Sequence, residues 1–129
     1  MATAKQLTVM LENKPGKLAE LCSELAKKAV NIQALHAEGG NPRGPVRMVV
    51  GQPEAAKRVF AAAGLPYSEE DVLTVKIGDR PGSLGRVTRK LAEKGINIDY
   101  VYGSVARGST QAMLVMGVSD LAAAAAIAK

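Results

Sequence analysis

Cysteine, histidine and aromatic side chains are nearly absent from this chain. Among 129 residues there are one Cys, one His, one Phe, three Tyr and no Trp. A single Cys builds no disulfide framework, and one Cys with one His cannot complete an all-Cys/His zinc site. Nothing in the spacing of Cys22 and His36 supports a nucleophile–base pair. The scarcity of aromatics counts against single-stranded nucleic acid and sugar binding, which rest on stacking platforms. No run of about 18 apolar residues occurs, so no membrane span is expected. The opening MATAKQLTVMLENKPGK lacks a charged segment followed by an apolar core and a cleavage site, and does not read as a signal peptide. With the free thiol of Cys22, this points to the cytoplasm.

What is present is a globular balance, 47% apolar and 22% charged. A chain of this length can bury a core without disulfides or metal. The formal net charge of +5 is mild and uneven: residues 1–72 carry nine basic and eight acidic side chains, residues 73–129 eight and four.

The dominant feature is a repeat at an offset of 66 residues. LTVMLENKPGKLAELCSELAKKAVNI (7–32) lies over LTVKIGDRPGSLGRVTRKLAEKGINI (73–98) without a gap. The same offset places Met48–Gly51 over Leu114–Gly117, and Pro53–Ala56 over Ser119–Ala122. Each copy reads as strand, helix, strand, strand, helix. Leu7, Val9 and Leu11 alternate with Thr8, Met10 and Glu12, and Leu73, Val75 and Ile77 do the same in the second copy, the period of a half-buried strand. Pro15-Gly16 and Pro81-Gly82 end those strands. The next helix places Leu18, Leu21, Cys22, Leu25, Ala26 and Ala29 on one face; its twin uses Leu84, Val87, Thr88, Leu91 and Ala92, with Gly95 as a C-terminal cap. Second strands open at Asn31-Ile32 and Asn97-Ile98, and third strands lie at 46–50 and 111–117. The closing helices fall at 53–63 and 119–128, the latter nearly all Ala. Residues after Gly64 lead to a fourth strand in the first copy, with a short connector near 69–72.

The expected fold is therefore α+β: two ferredoxin-like βαββαβ units in tandem, residues 1–70 and 71–129. Ala63 pairs with Lys129 at the repeat offset, so the second unit lacks its final strand. An uncovered sheet edge invites strand addition. The expectation is that another chain, or the first unit of the same chain, covers it.

The segments Asn13-Lys14-Pro15-Gly16-Lys17-Leu18 and Asp79-Arg80-Pro81-Gly82-Ser83-Leu84 carry the chemistry. Each joins a strand to a helix, whose first N–H groups and positive dipole end suit a carboxylate. Gly permits close approach to the backbone and Pro holds the turn. Asn13 or Asp79 can accept from an ammonium. The two ends of the turn match a free α-amino acid.

The pattern strand–[Asp/Asn]-x-Pro-Gly-x-Leu–helix–Asn-Ile, present twice, resembles the ACT domain family, small regulatory modules that bind amino acids. The chain looks like proteins made almost entirely of two tandem ACT domains. The resemblance implies a ligand site in which the turn of one unit faces the second strand of another. By position, the turn residues are Asn13, Pro15, Gly16, Lys17 and Leu18, and Asp79, Pro81, Gly82, Ser83 and Leu84. The facing strands begin Asn31-Ile32-Gln33 and Asn97-Ile98-Asp99. Asn13 is neutral where Asp79 is charged, so the two sites differ in their capacity for an ammonium. The implied function is a non-catalytic regulator that binds a free amino acid and alters its assembly or a protein partner. The implied assembly is a homodimer or higher, with no cofactor. The alternative is an interaction module whose turns are empty.

Other readings have less behind them. RNA binding on such a sheet wants aromatics on the central strands, where this chain has Thr8, Met10, Thr74 and Lys76. Catalysis wants a carboxylate pair, a nucleophile with its base, or a metal cluster, and none stands out. Metal carriage on this fold would want Cys-x-x-Cys where the chain has Lys-Pro-Gly-Lys. Arg86, Arg89, Lys90 and Lys94 form a basic stripe at helical spacing, read as a solvated face. Cys22 is read as core, and Asn31 and Asn97 as bridging groups at strand entries.

Overall fold

A computed structural model describes residues 1–127. The elements are β1 (Ala2–Glu12), α1 (Lys17–Lys27), β2 (Ile32–Ala37), β3 (Arg43–Val50), α2 (Pro53–Ala62), β4 (Tyr67–Gly78), α3 (Ser83–Glu93), β5 (Ile98–Ser104), β6 (Gln111–Val118) and α4 (Leu121–Ala125). This is the twice-repeated order that the periodicity predicts. Among the described residues no helix is long and apolar enough to cross a membrane.

The chain divides into two compact units. One is Lys5–Glu70; the other joins Met1–Ala4 to the stretch from Asp71 onward. In the first, the strand order is β2-β3-β1-β4. β1 runs antiparallel to β3 with Leu7 opposite Met48 and Glu12 opposite Arg43. β2 runs antiparallel to β3 with Ile32 opposite Val50 and Ala37 opposite Val46, and shifts register between Ile32 and Ala34. Alternate residues of these strands meet one face of each helix, because side chains alternate along a strand and recur every three or four residues along a helix. The core is Leu7, Val9, Val46 and Met48 from the sheet with Leu21, Leu25, Val59 and Phe60 from the helices. The Phe60 ring meets Tyr67 at 5.7 Å between centroids.

The second-repeat unit has the order β1-β4-β6-β5. Leu73 lies opposite Met116 and Gly78 opposite Gln111. β5 pairs with β6 and shifts register between Ile98 and Tyr100. The Tyr100 ring packs over Gly117, where a Cβ would fall 2.4 Å from it and force the ring to move. Leu73, Val75, Val87, Leu91, Leu114 and Met116 form the core, with Ala124 from α4.

No strand follows α4 among the described residues. The place beside β4 is taken by the opening of β1, since Ala2–Ala4 belongs to this unit and β1 neighbours β4. Met1 packs against the same core, and its ammonium donates to the Ile127 carbonyl at 3.0 Å. Of the two expected ways to cover the edge, the chain uses its own first residues. The missing strand thus no longer argues for self-association.

Several expectations are corrected. The units divide between Glu70 and Asp71, within the expected 69–72, but that stretch is no separate connector: it lies inside β4, Tyr67–Gly78. The helix expected over 119–128 is Leu121–Ala125, with Asp120 as N-cap accepting from Ala123 N at 3.0 Å. Residue 128 of that expectation lies outside the described residues. Leu18 and Leu84, expected on apolar helix faces, are 38% and 44% exposed. Cys22 is half-buried rather than core.

Candidate functional site

Both Pro-Gly turns fold alike. Gly16 and Gly82 each stand at φ 88° as the N-cap of the following helix, and neither helix has a side-chain cap. A Cβ in this left-handed region costs about 1–2 kcal/mol, so the turn itself demands Gly. Lys17 N donates to the Lys14 carbonyl at 3.3 Å, and Ser83 N to the Arg80 carbonyl at 3.1 Å. The loop between second and third strands braces each turn. Asn13 N donates to the Pro42 carbonyl and Asp79 N to the Thr110 carbonyl, both at 3.0 Å. The first N–H of each helix is thus taken within the turn, and with no side-chain cap the next N–H groups, of residues 18 and 19 and of 84 and 85, are the ones that face an outside acceptor.

The electrostatics of the two turns differ. In the first, the Glu12 carboxylate at the end of β1 meets Lys14 Nζ at 3.2 Å and Lys17 Nζ at 3.9 Å. Lys17 Nζ also lies 3.8 Å from Glu20. The hydrogen bond and charge of Lys14, helped by Lys17 and Arg43, hold the Glu12 carboxyl below its ordinary range. Beside this turn is a cavity of ≈ 200 Å³, lined by Leu11, Asn13, Leu18, Ala37, Gly39 and Val46 among others.

In the second turn Gly78 stands where the first has Glu12, and Arg86 where it has Glu20. A Cβ on Gly78 would lie 3.6 Å from both Nε and Nη2 of Arg80, and 4.0 Å from Ser83 Oγ. Ser83 is 5% exposed, and its hydroxyl accepts from Arg86 Nη2 at 3.2 Å. Arg86 Nη1 lies 3.4 Å from where a Cβ on Gly82 would be. Two guanidinium groups thus gather about Gly78 and Gly82, with no carboxylate partner among the described residues.

The strand-entry residues lie elsewhere. Asn31 N donates to Gln52 Oε1 at 2.7 Å, and the Asn31 carbonyl accepts from Gly51 N at 2.9 Å. Asn97 N donates to Ser119 Oγ at 2.9 Å, and its side-chain amide to Asp99 Oδ1 at 2.8 Å. At Asn31 it is the backbone that makes these bridges, while at Asn97 the side chain takes part as well. Ile32 and Ile98 pack against the cores of their units, while Gln33 and Asp99 are exposed. Along β3, Ile32 pairs at Val50 and Glu12 at Arg43. At a rise of about 3.4 Å per residue, the two ends are over ~20 Å apart. Within a unit, the structure brings the turn residues together and leaves the strand-entry residues at the other end.

Reading the turn as a motif passes over position 78 and leaves Arg86 in a solvated stripe, apart from the turn. The signal for them was in the repeat itself: Glu12 over Gly78 and Glu20 over Arg86 are among its least conservative pairs.

The family model described as ACT domain pair matches residues 2–126. The chain belongs to the ACT domain pair family. A solved structure of a Bacteroides thetaiotaomicron protein matches this ACT domain pair with TM-score 0.87 and 30% identity, over 95% of this chain and 83% of that one. The ligand-free regulatory subunit of aspartate kinase from Thermus thermophilus matches with TM-score 0.70 and 15% identity, over 97% and 93%. Its counterpart from Thermus flavus matches with TM-score 0.66 and 20% identity, over 96% and 90%. At these lower identities the two Thermus structures show the shared fold. Among curated proteins, none matches the sequence.

Proposed function

We propose that this ACT domain pair is a non-catalytic regulatory protein that binds a free amino acid. The turn after the first strand of one unit takes the backbone groups of the ligand, and the second-strand entry of another unit closes over them. The candidate residues are Asn13, Pro15, Gly16, Lys17 and Leu18 or Asp79, Pro81, Gly82, Ser83 and Leu84, facing Asn31, Ile32 and Gln33 or Asn97, Ile98 and Asp99. The observation that carries the reading is the pair of left-handed glycine N-caps without side-chain caps. Helix N–H groups left open in that way suit a carboxylate. That the Thermus relatives of this fold are regulatory subunits of an enzyme supports regulation over catalysis.

Ligand would act by favouring one packing of units or chains, which a protein partner then reads. Self-association as a homodimer or larger assembly, in the cytoplasm, belongs to the same reading. The exposed Leu18 and Leu84, one at each turn, favour the second reading, an interaction module that buries these side chains against protein. Thermal-shift and calorimetric titration with the twenty amino acids separates the two. A rise in Tm with one or a few of them is expected. No response to any would leave the interaction module.

A further inference from the structure

The two turns are not equivalent, and the difference names a ligand class. In the first turn, Glu12 supplies a carboxylate to Lys14 and Lys17 from within the chain. In the second, that carboxylate is absent because residue 78 is Gly; Arg80 stands over the vacated side-chain position with the Ser83 hydroxyl, and Arg86 is held beside them by its hydrogen bond to that hydroxyl. Glu12, Lys14, Lys17 and Glu20 sum to zero charge; Asp79, Arg80 and Arg86 sum to +1. Arginine stays protonated at all relevant pH and its planar fork matches a carboxylate. The first copy therefore serves as an internal reference for what the second lacks.

From this we infer that the second turn, at Gly78–Arg86, is the binding turn, and that its ligand is an acidic amino acid. The ligand's side-chain carboxylate lies beside Arg80 as the Glu12 carboxylate lies beside Lys14 in the first copy, and Arg86, held on the Ser83 hydroxyl, reaches it from the helix side. Its ammonium lies against Asp79 and its α-carboxylate on the open N–H groups of α3. A ligand of net charge −1 neutralises the +1 of the turn, whereas a neutral zwitterion leaves it. The first turn carries its own carboxylate and takes no such ligand. The inference rests on the amino-acid-binding reading above and narrows it.

Calorimetric titration of the full chain with L-aspartate, L-glutamate, L-asparagine and L-glutamine tests it. At least one acid is expected to bind more tightly than its amide, by about tenfold or more for the loss of a charge-assisted pair. Arg80→Gln and Arg86→Gln, both at exposed positions, should each weaken the acid by a similar factor. Gly78→Glu, which restores the residue of the first copy, should abolish binding with the circular dichroism spectrum unchanged. Glu12→Gln should leave affinity as it is. Amides or other neutral amino acids binding as well as the acids would overturn this inference while leaving the amino-acid reading intact. Acid binding indifferent to Arg80→Gln, Arg86→Gln and Gly78→Glu would overturn the placement. No binding of any amino acid would overturn both.

Discussion

Residue 29 and residue 95 occupy the same place in the repeat, one past the C-cap of the first helix in each copy. Both have positive φ, 56° at Ala29 and 69° at Gly95. In both, the next N–H reaches back to the helix: Val30 N to the Leu25 carbonyl, Ile96 N to the Leu91 carbonyl, each at 3.0 Å. This is the αL ending that Gly fits and Ala strains. Ala29→Gly is expected to stabilise the chain by about 0.5–1 kcal/mol, the strain relieved less the extra unfolded-state entropy of Gly. Gly16→Ala should destabilise it by about 1 kcal/mol or more. Urea melts of the two variants check both signs. Glu12 permits a pH test. Its carboxyl is held below the ordinary glutamate range, first by the Lys14 hydrogen bond. A depressed folded-state value means a contribution present above the unfolded value and lost as pH falls through the folded one. Wild type should therefore lose stability slightly faster than Glu12→Gln as pH falls through and below the ordinary glutamate range, measured as Tm against pH.

The elements were legible from the sequence wherever two periodicities agreed. Leu7, Val9 and Leu11 announced a strand, and Leu21 and Leu25 a buried helix stripe, because each was repeated 66 residues later. What stayed hidden was set by tertiary context. Leu18 continues the helical stripe, yet it sits in the first turn of α1 over the open cavity that Leu11 and Val46 also line, and stays exposed. The extent of α4 was hidden for another reason. A run of Ala has uniform helix propensity and no internal stop. Its start is set by the Asp120 cap, and its last turn closes with Ile127 N on the Ala124 carbonyl at 3.1 Å. The candidate site was legible as two turns, but not in its charge. That depends on Arg80 folding over Gly78, a contact with no spacing rule. Asp120→Ala should cost about 1 kcal/mol through the lost cap, read as a lower Tm.

The whole chain follows one rule that neither copy shows alone. At the repeat offset, residues 1–4 lie over residues 67–70. Both are lead-ins to a first strand, and each belongs to the unit whose first strand it does not lead. Ala2–Ala4 finishes the second-repeat unit, and Tyr67–Glu70 finishes the first. A half-chain of residues 1–66 is expected to dimerise, trading lead-ins between two molecules. Its Tm should rise with protein concentration more steeply than that of the full chain, which exchanges its lead-ins within one molecule. Sedimentation and melts across a hundredfold dilution series would show it. Joining the copies converts an exchange between molecules into one within a molecule, governed by an effective concentration that the linkage sets. The completed sheet edges of this ACT domain pair therefore survive dilution to any level at which the chain is made.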